Sequence, residues 1–187
     1  MLRNKKTKIA VLLYVALLFI ILSLQAAGII SPDVFGFKPS PSSAAIPLAP
    51  SWVRLTYHHL HANLLHLCLN AWCFLSCVFL LNVSARKILA AFLIAATVPE
   101  SIAFGLSAAE LGGCTSTPPI IGLSGVCFAL MGFIQWRVPR KLYYNTVVAL
   151  SIFLPWLLSA NFANALHLYC YLVGIISQLI YNYIKCK

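Results

Sequence analysis

The sequence predicts an all-α membrane protein, a bundle of six transmembrane helices, on three observations. The 187 residues are 61% hydrophobic and only 9% charged, where a water-soluble domain carries about 25% charged residues. Six apolar runs punctuate the chain, each close to the length a bilayer crossing needs. The basic residues collect at alternate connections between those runs.

A mean hydropathy of +0.92 leaves too little polar surface to face water. The formal net charge of +10 raises nucleic acid as a partner. The charges lie in short clusters between apolar runs, however, and not on one face of a domain, which argues against nucleic acid and for a lipid bilayer.

The runs cover residues 9–30, 60–83, 88–108, 121–136, 143–160 and 164–184. Each is near the ~20 residues that cross ~30 Å of hydrocarbon, the fourth and fifth being the shortest. Backbone groups in lipid must be paired within the chain, so the runs are expected to be helices. No internal repeat or separate soluble domain interrupts them, and residues 1–187 read as one membrane domain.

The charges give an orientation. Arg3, Lys5, Lys6 and Lys8 precede the first run, and Arg86 and Lys87 follow the second. Arg137, Arg140 and Lys141 follow the fourth, and Lys185 and Lys187 end the chain. With six spans, these eleven share one side, and only Lys38 and Arg54 lie on the other, with Asp33 and Glu110. This split puts both termini in the cytoplasm. The basic start, apolar run and Gln25-Ala26-Ala27 also resemble a secretory signal, but an uncleaved first helix fits the charge pattern better.

Of the seven cysteines, only Cys114 is expected on the outer side. Cys68, Cys73, Cys77, Cys127 and Cys170 read as small apolar packers. Their spacing with the nearby histidines matches no zinc pattern, so no metal or other cofactor is expected.

The chemistry-bearing residues converge in depth. Ser124 stands thirteen residues before Arg137, about 20 Å of helical rise from the inner interface, or about 10 Å below the outer one. The missing length falls to the loop 111–120, with two glycines and two prolines. Irregular backbone at such depth is tolerated where it lines a water-filled cavity, and hydrolysis needs water. His167 lies one turn into the sixth run. His66 and Asn70 are four residues apart on one face of the second.

A serine hydroxyl needs a base, and His167 is the histidine at matching depth. No carboxylate is placed to complete a triad: Asp33 and Glu110 lie in loops, and Glu100 sits near a Pro99 kink. A Ser124–His167 dyad is therefore expected. Asn70, His66 and the Ser124 backbone N–H are the candidate donors to an oxyanion. Gly122 and Gly125 flank the serine, and Gly132 and Gly174 allow close helix approach. Phe128, four residues after Ser124, is positioned to pack on the His167 ring. Taken singly, a Gly-x-Ser-Gly in a membrane helix is usually packing, and His66 with Asn70 is usually interhelical glue. His58 and His59 read as interfacial.

Together these residues resemble the rhomboid family of intramembrane serine proteases. The second run carries His61, His66 and Asn70 in the family's His-x4-His-x3-Asn pattern. The fourth reads Gly122-Leu-Ser124-Gly125-Val-Cys-Phe128-Ala-Leu-Met-Gly132, and the sixth supplies Ala165-Leu-His167 followed by Gly174. The resemblance implies a rhomboid-like bundle with Ser124 as nucleophile and His167 as general base, His66 and Asn70 around the oxyanion, His61 supporting the first loop, and Phe128 stacked on His167. It implies an endopeptidase cleaving transmembrane protein substrates in or near their membrane segments, and the small six-helix core resembles bacterial members, hence an inner membrane. Two departures stand out. Cys170 occupies a position where the family often has glycine, which predicts a looser helix contact. Trp52 and Arg54 are separated by Val53 where the family often has them adjacent. The rival class is a catalytically silent relative that binds or escorts membrane proteins.

Overall fold

In hydrocarbon an unpaired backbone N–H or C=O costs several kcal/mol, so the apolar runs close their hydrogen bonds internally as helices. A computed structural model describes residues 2–38, 52–99, 102, 119–158 and 163–186. Its elements are α1 (Leu2–Ala26), α2 (Pro32–Phe35), α3 (Val53–Thr56) with a 3-10 turn at Tyr57–His59, α4 (Leu64–Phe79), α5 (Ala85–Ala96), α6 (Ser124–Ile134) with a 3-10 turn at Gln135–Arg137, α7 (Lys141–Leu158) and α8 (Ala163–Lys185). Among the described residues the only β pairing is one antiparallel bridge, Phe37 with Ile120.

Among the described residues the architecture is helical, with two helices long and apolar enough to cross a membrane, Lys5–Ala26 and Asn164–Lys185. A third is added if Val53–His59 and Leu64–Phe79, bent by 98° at their junction, form one broken span. α5 and α6, with 12 and 11 residues, rise only about 18 and 17 Å, short of a ~30 Å core.

Several boundaries differ from the sequence expectation. The first helix runs from Leu2 to Ala26, not 9–30, because its long basic side chains need no apolar surroundings to be helical. The second begins at Leu64, not Leu60. Asn63 sits in extended backbone there and its side-chain oxygen accepts the His66 N–H at 2.9 Å, a cap that sets the start. In the third run α5 ends at Ala96, ahead of Pro99, whose preceding residue disfavours helix, and residues 103–108 of that run lie outside the described residues. Glu100, Glu110, Cys114 and most of the 111–120 loop lie outside the described residues, as do residues 159–162.

Burial shows which faces meet. On α1 the stripe Val11, Val15 and Leu18 is buried, while Leu13 and Ile20 are more than half exposed, the pattern of a helix with one face on the bundle and the other on lipid. α6 is different: from Gly125 to Ile134 every residue but Met131 is buried. It is the central helix, packed by α4, α5 and α8. Water expulsion does not drive helices together inside a bilayer, so close packing must do so. Gly132 supplies it: its Cα faces Gly174 of α8, and a Cβ there would lie 2.8 Å from the Ile175 nitrogen. Cys170, expected to loosen this contact, is fully buried, with its sulfur filling space beside Gly125.

The first loop closes over one end of α5. The last carbonyls of a helix have no intrahelical partner. Here the Tyr57 hydroxyl donates to the Ala95 carbonyl at 2.7 Å, and the Arg54 guanidinium donates to the Val98 carbonyl at 2.6 Å. The Tyr57 carbonyl in turn accepts the Gly122 N–H at 2.9 Å. The bridge continues the seam, with Ile120 N–H on the Phe37 carbonyl at 2.7 Å and Phe37 N–H on the Ile120 carbonyl at 3.0 Å. Trp52 stays outside this seam, partly exposed, with its ring edge on Phe35.

Candidate active site

The entry to α6 decides where its first residue points. Gly122 has φ +118°, a conformation closed to ordinary side chains, and Leu123 then leads directly into the helix. Ser124 is the first residue of α6, so its side chain projects from the helix N-terminus into the space beneath the first loop. His167 is in the second turn of α8. Its Nε2 lies 2.7 Å from the Ser124 Oγ, within hydrogen-bond reach. Phe128, one turn below Ser124, stacks on the imidazole with ring centroids 4.5 Å apart and planes 27° apart. The ring is therefore held at one edge by a hydroxyl and over one face by an aromatic.

The two α4 residues arrive from the opposite side of Gly122. A Cβ on Gly122 would lie 2.9 Å from His66 Nε2 and 3.4 Å from Asn70 Nδ2. Both groups thus stand against the backbone two residues before Ser124. The His66 tautomer follows from its other nitrogen. The Ala62 N–H points at His66 Nδ1 at 3.4 Å, so Nδ1 accepts and Nε2 carries the proton. Asn70 is 7% exposed, and its Nδ2 has no hydrogen-bond partner among the described residues. Two N–H donors consequently stand at Gly122, two residues before Ser124. N–H donors in general stabilise negative charge near them, and a helix N-terminus adds its own dipole.

His61 is 1% exposed and meets the His66 ring edge-on at 5.2 Å. Its backbone is gripped from α1: the Gln25 amide donates to the His61 carbonyl at 3.2 Å, and the His61 N–H donates to Gln25 Oε1 at 3.1 Å. Gly125 lies against Leu166 and Cys170 of α8 and Ala95 of α5, and Gly174 lies lower, against Ala129 and Gly132 of α6. Of the residues singled out from the sequence, His167 meets the Ser124 hydroxyl, Phe128 stacks on His167, His66 and Asn70 stand at Gly122, and Gly125, Gly132 and Gly174 lie in the α6–α8 contact.

Three residues near the site were not singled out. Gln25 positions His61, yet in the sequence it reads as the tail of a signal-like segment. The available signal was a lone amide in an apolar run, which a membrane helix does not carry without a partner. Tyr57 ties the first loop to both α5 and Gly122, and nothing local distinguishes it from an interfacial tyrosine. Asn164 is buried one turn before His167. Among the described residues no group of three or more His, Cys, Asp or Glu side chains is arranged to hold a metal.

A model of the rhomboid domain matches residues 50–187. The match covers well over half of the sequence, and the chain belongs to the rhomboid family, a family of intramembrane serine proteases acting on membrane proteins. No curated protein matches the chain. The matched span contains every residue of the site except Gln25, which belongs to α1 outside it.

Gly122 offers a direct test of this geometry. Gly122→Ala forces a Cβ to within 2.8 Å of the His66 ring on a backbone already at positive φ. It should destabilise the protein by about 1–3 kcal/mol, read as a lower Tm in detergent. An unchanged Tm would contradict the tight approach of α4 to this loop.

Proposed function

We propose that this rhomboid-family chain is an intramembrane serine endopeptidase that hydrolyses peptide bonds in or near transmembrane segments through a Ser124–His167 dyad. The observation that carries the reading is the 2.7 Å approach of His167 Nε2 to the Ser124 Oγ. A silent escort protein has no need to hold a hydroxyl and an imidazole in this geometry, with the ring clamped by Phe128.

In the proposed reaction the Ser124 oxygen attacks the scissile carbonyl carbon as its proton passes to His167 Nε2. The carbonyl oxygen becomes an oxyanion, met by His66 Nε2–H, Asn70 Nδ2–H and the Ser124 N–H. The C–N bond then breaks, and the imidazolium returns its proton to the leaving amine. Water, activated by the neutral His167, hydrolyses the acyl-enzyme and frees Ser124. His61, Gly122, Gly125, Phe128 and Gly174 act through the positions they give these groups.

The same reading takes residues 1–187 as one six-span membrane domain, with short α6 crossing inside the bundle where protein surrounds it. The packing supports this count. Ser124 meets His167, and eight and seven residues further on Gly132 meets Gly174, so α6 and α8 run parallel and α7 returns between them. Both termini then lie in the cytoplasm, and by resemblance the membrane is a bacterial inner membrane.

Ser124→Ala and His167→Ala should each abolish cleavage of a transmembrane substrate in proteoliposomes, with Tm close to the parent. Because the pair acts as a unit, the double variant should be little worse than either single one. Substantial cleavage by Ser124→Ala removes the protease reading. The orientation has its own check, in a background free of native cysteines. A cysteine placed at Asp33 should react with an impermeant reagent added outside cells, and one placed at Ser84 should not; the reverse pattern inverts the topology.

A further inference from the structure

The dyad leaves one end of its histidine unaccounted for. When Nε2 faces the Ser124 hydroxyl as a base, the ring proton must reside on Nδ1. That nitrogen is buried and has no hydrogen-bond partner among the described residues. A buried N–H without a partner is costly, and the cost rises as the ring becomes imidazolium. Helical side chains lean toward the N-terminus, over the preceding turn. The turn before His167 reads Ala163-Asn164-Ala165-Leu166, in which Asn164 has the one polar side chain.

Asn164 is 8% exposed, and its Nδ2 is also buried without a partner among the described residues. It lies three residues before His167 in the same helix, a spacing that puts both on one face. Phe128 covers a face of the ring, and Ser124 is engaged at Nε2. Leu166 and Cys170, adjacent to these positions, pack on Gly125. Two buried amide and imidazole N–H groups on one helical face therefore lack an acceptor among the described residues. A change in the Asn164 side-chain torsions, with no change to the backbone, turns its carboxamide oxygen toward the ring.

We propose that Asn164 is a positioning residue for His167: its carboxamide oxygen accepts the Nδ1–H and holds the base in the tautomer and orientation that serve Ser124. The proposal rests on the dyad reading above. Asn164 touches no reacting atom, and acts where a triad would place a carboxylate.

The test measures the rate of fluorophosphonate labelling of the full chain, with kcat and KM on a transmembrane substrate and Tm, for Asn164→Leu, Asn164→Ala and Asn164→Asp. Asn164→Leu keeps the volume and removes the acceptor, and Asn164→Ala guards against misfolding of the bulkier variant. Asn164→Asp is isosteric and keeps an acceptor oxygen in either ionisation state. Leu and Ala should slow labelling and kcat by about tenfold, the worth of one hydrogen bond strengthened in the transition state, with KM and Tm near the parent. Asp should recover most of the rate. Parent-like labelling by Asn164→Leu or Asn164→Ala overturns the proposal. So does a loss that Asp does not restore and that follows a lowered Tm, the mark of a packing role. Labelling of the parent that persists in Ser124→Ala removes the dyad and this proposal with it, and is distinguishable from both.

Discussion

The meeting of two helix backbones at Gly132 and Gly174 is the constraint on which the rest of the site depends. Bilayer hydrocarbon gives helices no hydrophobic reason to associate, so contact distance is set by what lies between them. With no side chain at either position, α6 and α8 come to backbone contact. Ser124 stands eight residues above one glycine and His167 seven above the other, rises of about 12 and 10.5 Å. Parallel helices pinned at that point deliver the hydroxyl and the imidazole to the same level. The 2.7 Å approach of Nε2 to Oγ is the consequence. A side chain at either glycine would separate both pairs together.

A second set of ties fixes the ceiling of the site. Tyr57 satisfies the Ala95 carbonyl at the end of α5, and Arg54 reaches the Ala96 carbonyl at 3.5 Å and the Val98 carbonyl just beyond, so the first loop is bound to the helix by groups the helix needs anyway. The Tyr57 carbonyl then holds Gly122, whose positive φ aims Ser124. Gln25 performs a similar service from α1, gripping the backbone of His61 from both sides. α1 and Gln25 lie outside the span matched to the rhomboid domain, yet α1 supplies Val11, Val15 and Leu18 to the core. The first helix is thus part of the scaffold that sets the site.

How far the sequence revealed this differs by kind of interaction. Residues whose chemistry is local to a helix face were legible: His66 with Asn70, Ser124 with Phe128, and the glycine stripe all follow from 3.6-residue periodicity. Short α6 was legible from its distance to Arg137. The ends of helices were less so, because they are set by caps and by loop ties. Leu64 begins α4 because Asn63 caps it, and α5 stops at Ala96 ahead of Pro99. Long-range side-chain-to-backbone bonds were not legible at all. Gln25, Arg54 and Tyr57 each bind a carbonyl or amide tens of residues away, and nothing in their own neighbourhood marks the partner. Cys170 shows the limit of reasoning by resemblance: the expected loose contact is filled by its buried sulfur.

The central claim is that this architecture activates one hydroxyl, that of Ser124. Its most direct test is to treat the purified chain with a fluorophosphonate probe, digest it, and map the adduct by mass spectrometry. The account predicts a single adduct on Ser124 that disappears in His167→Ala. No adduct under conditions where the protein remains folded, or an adduct on another serine, would contradict it.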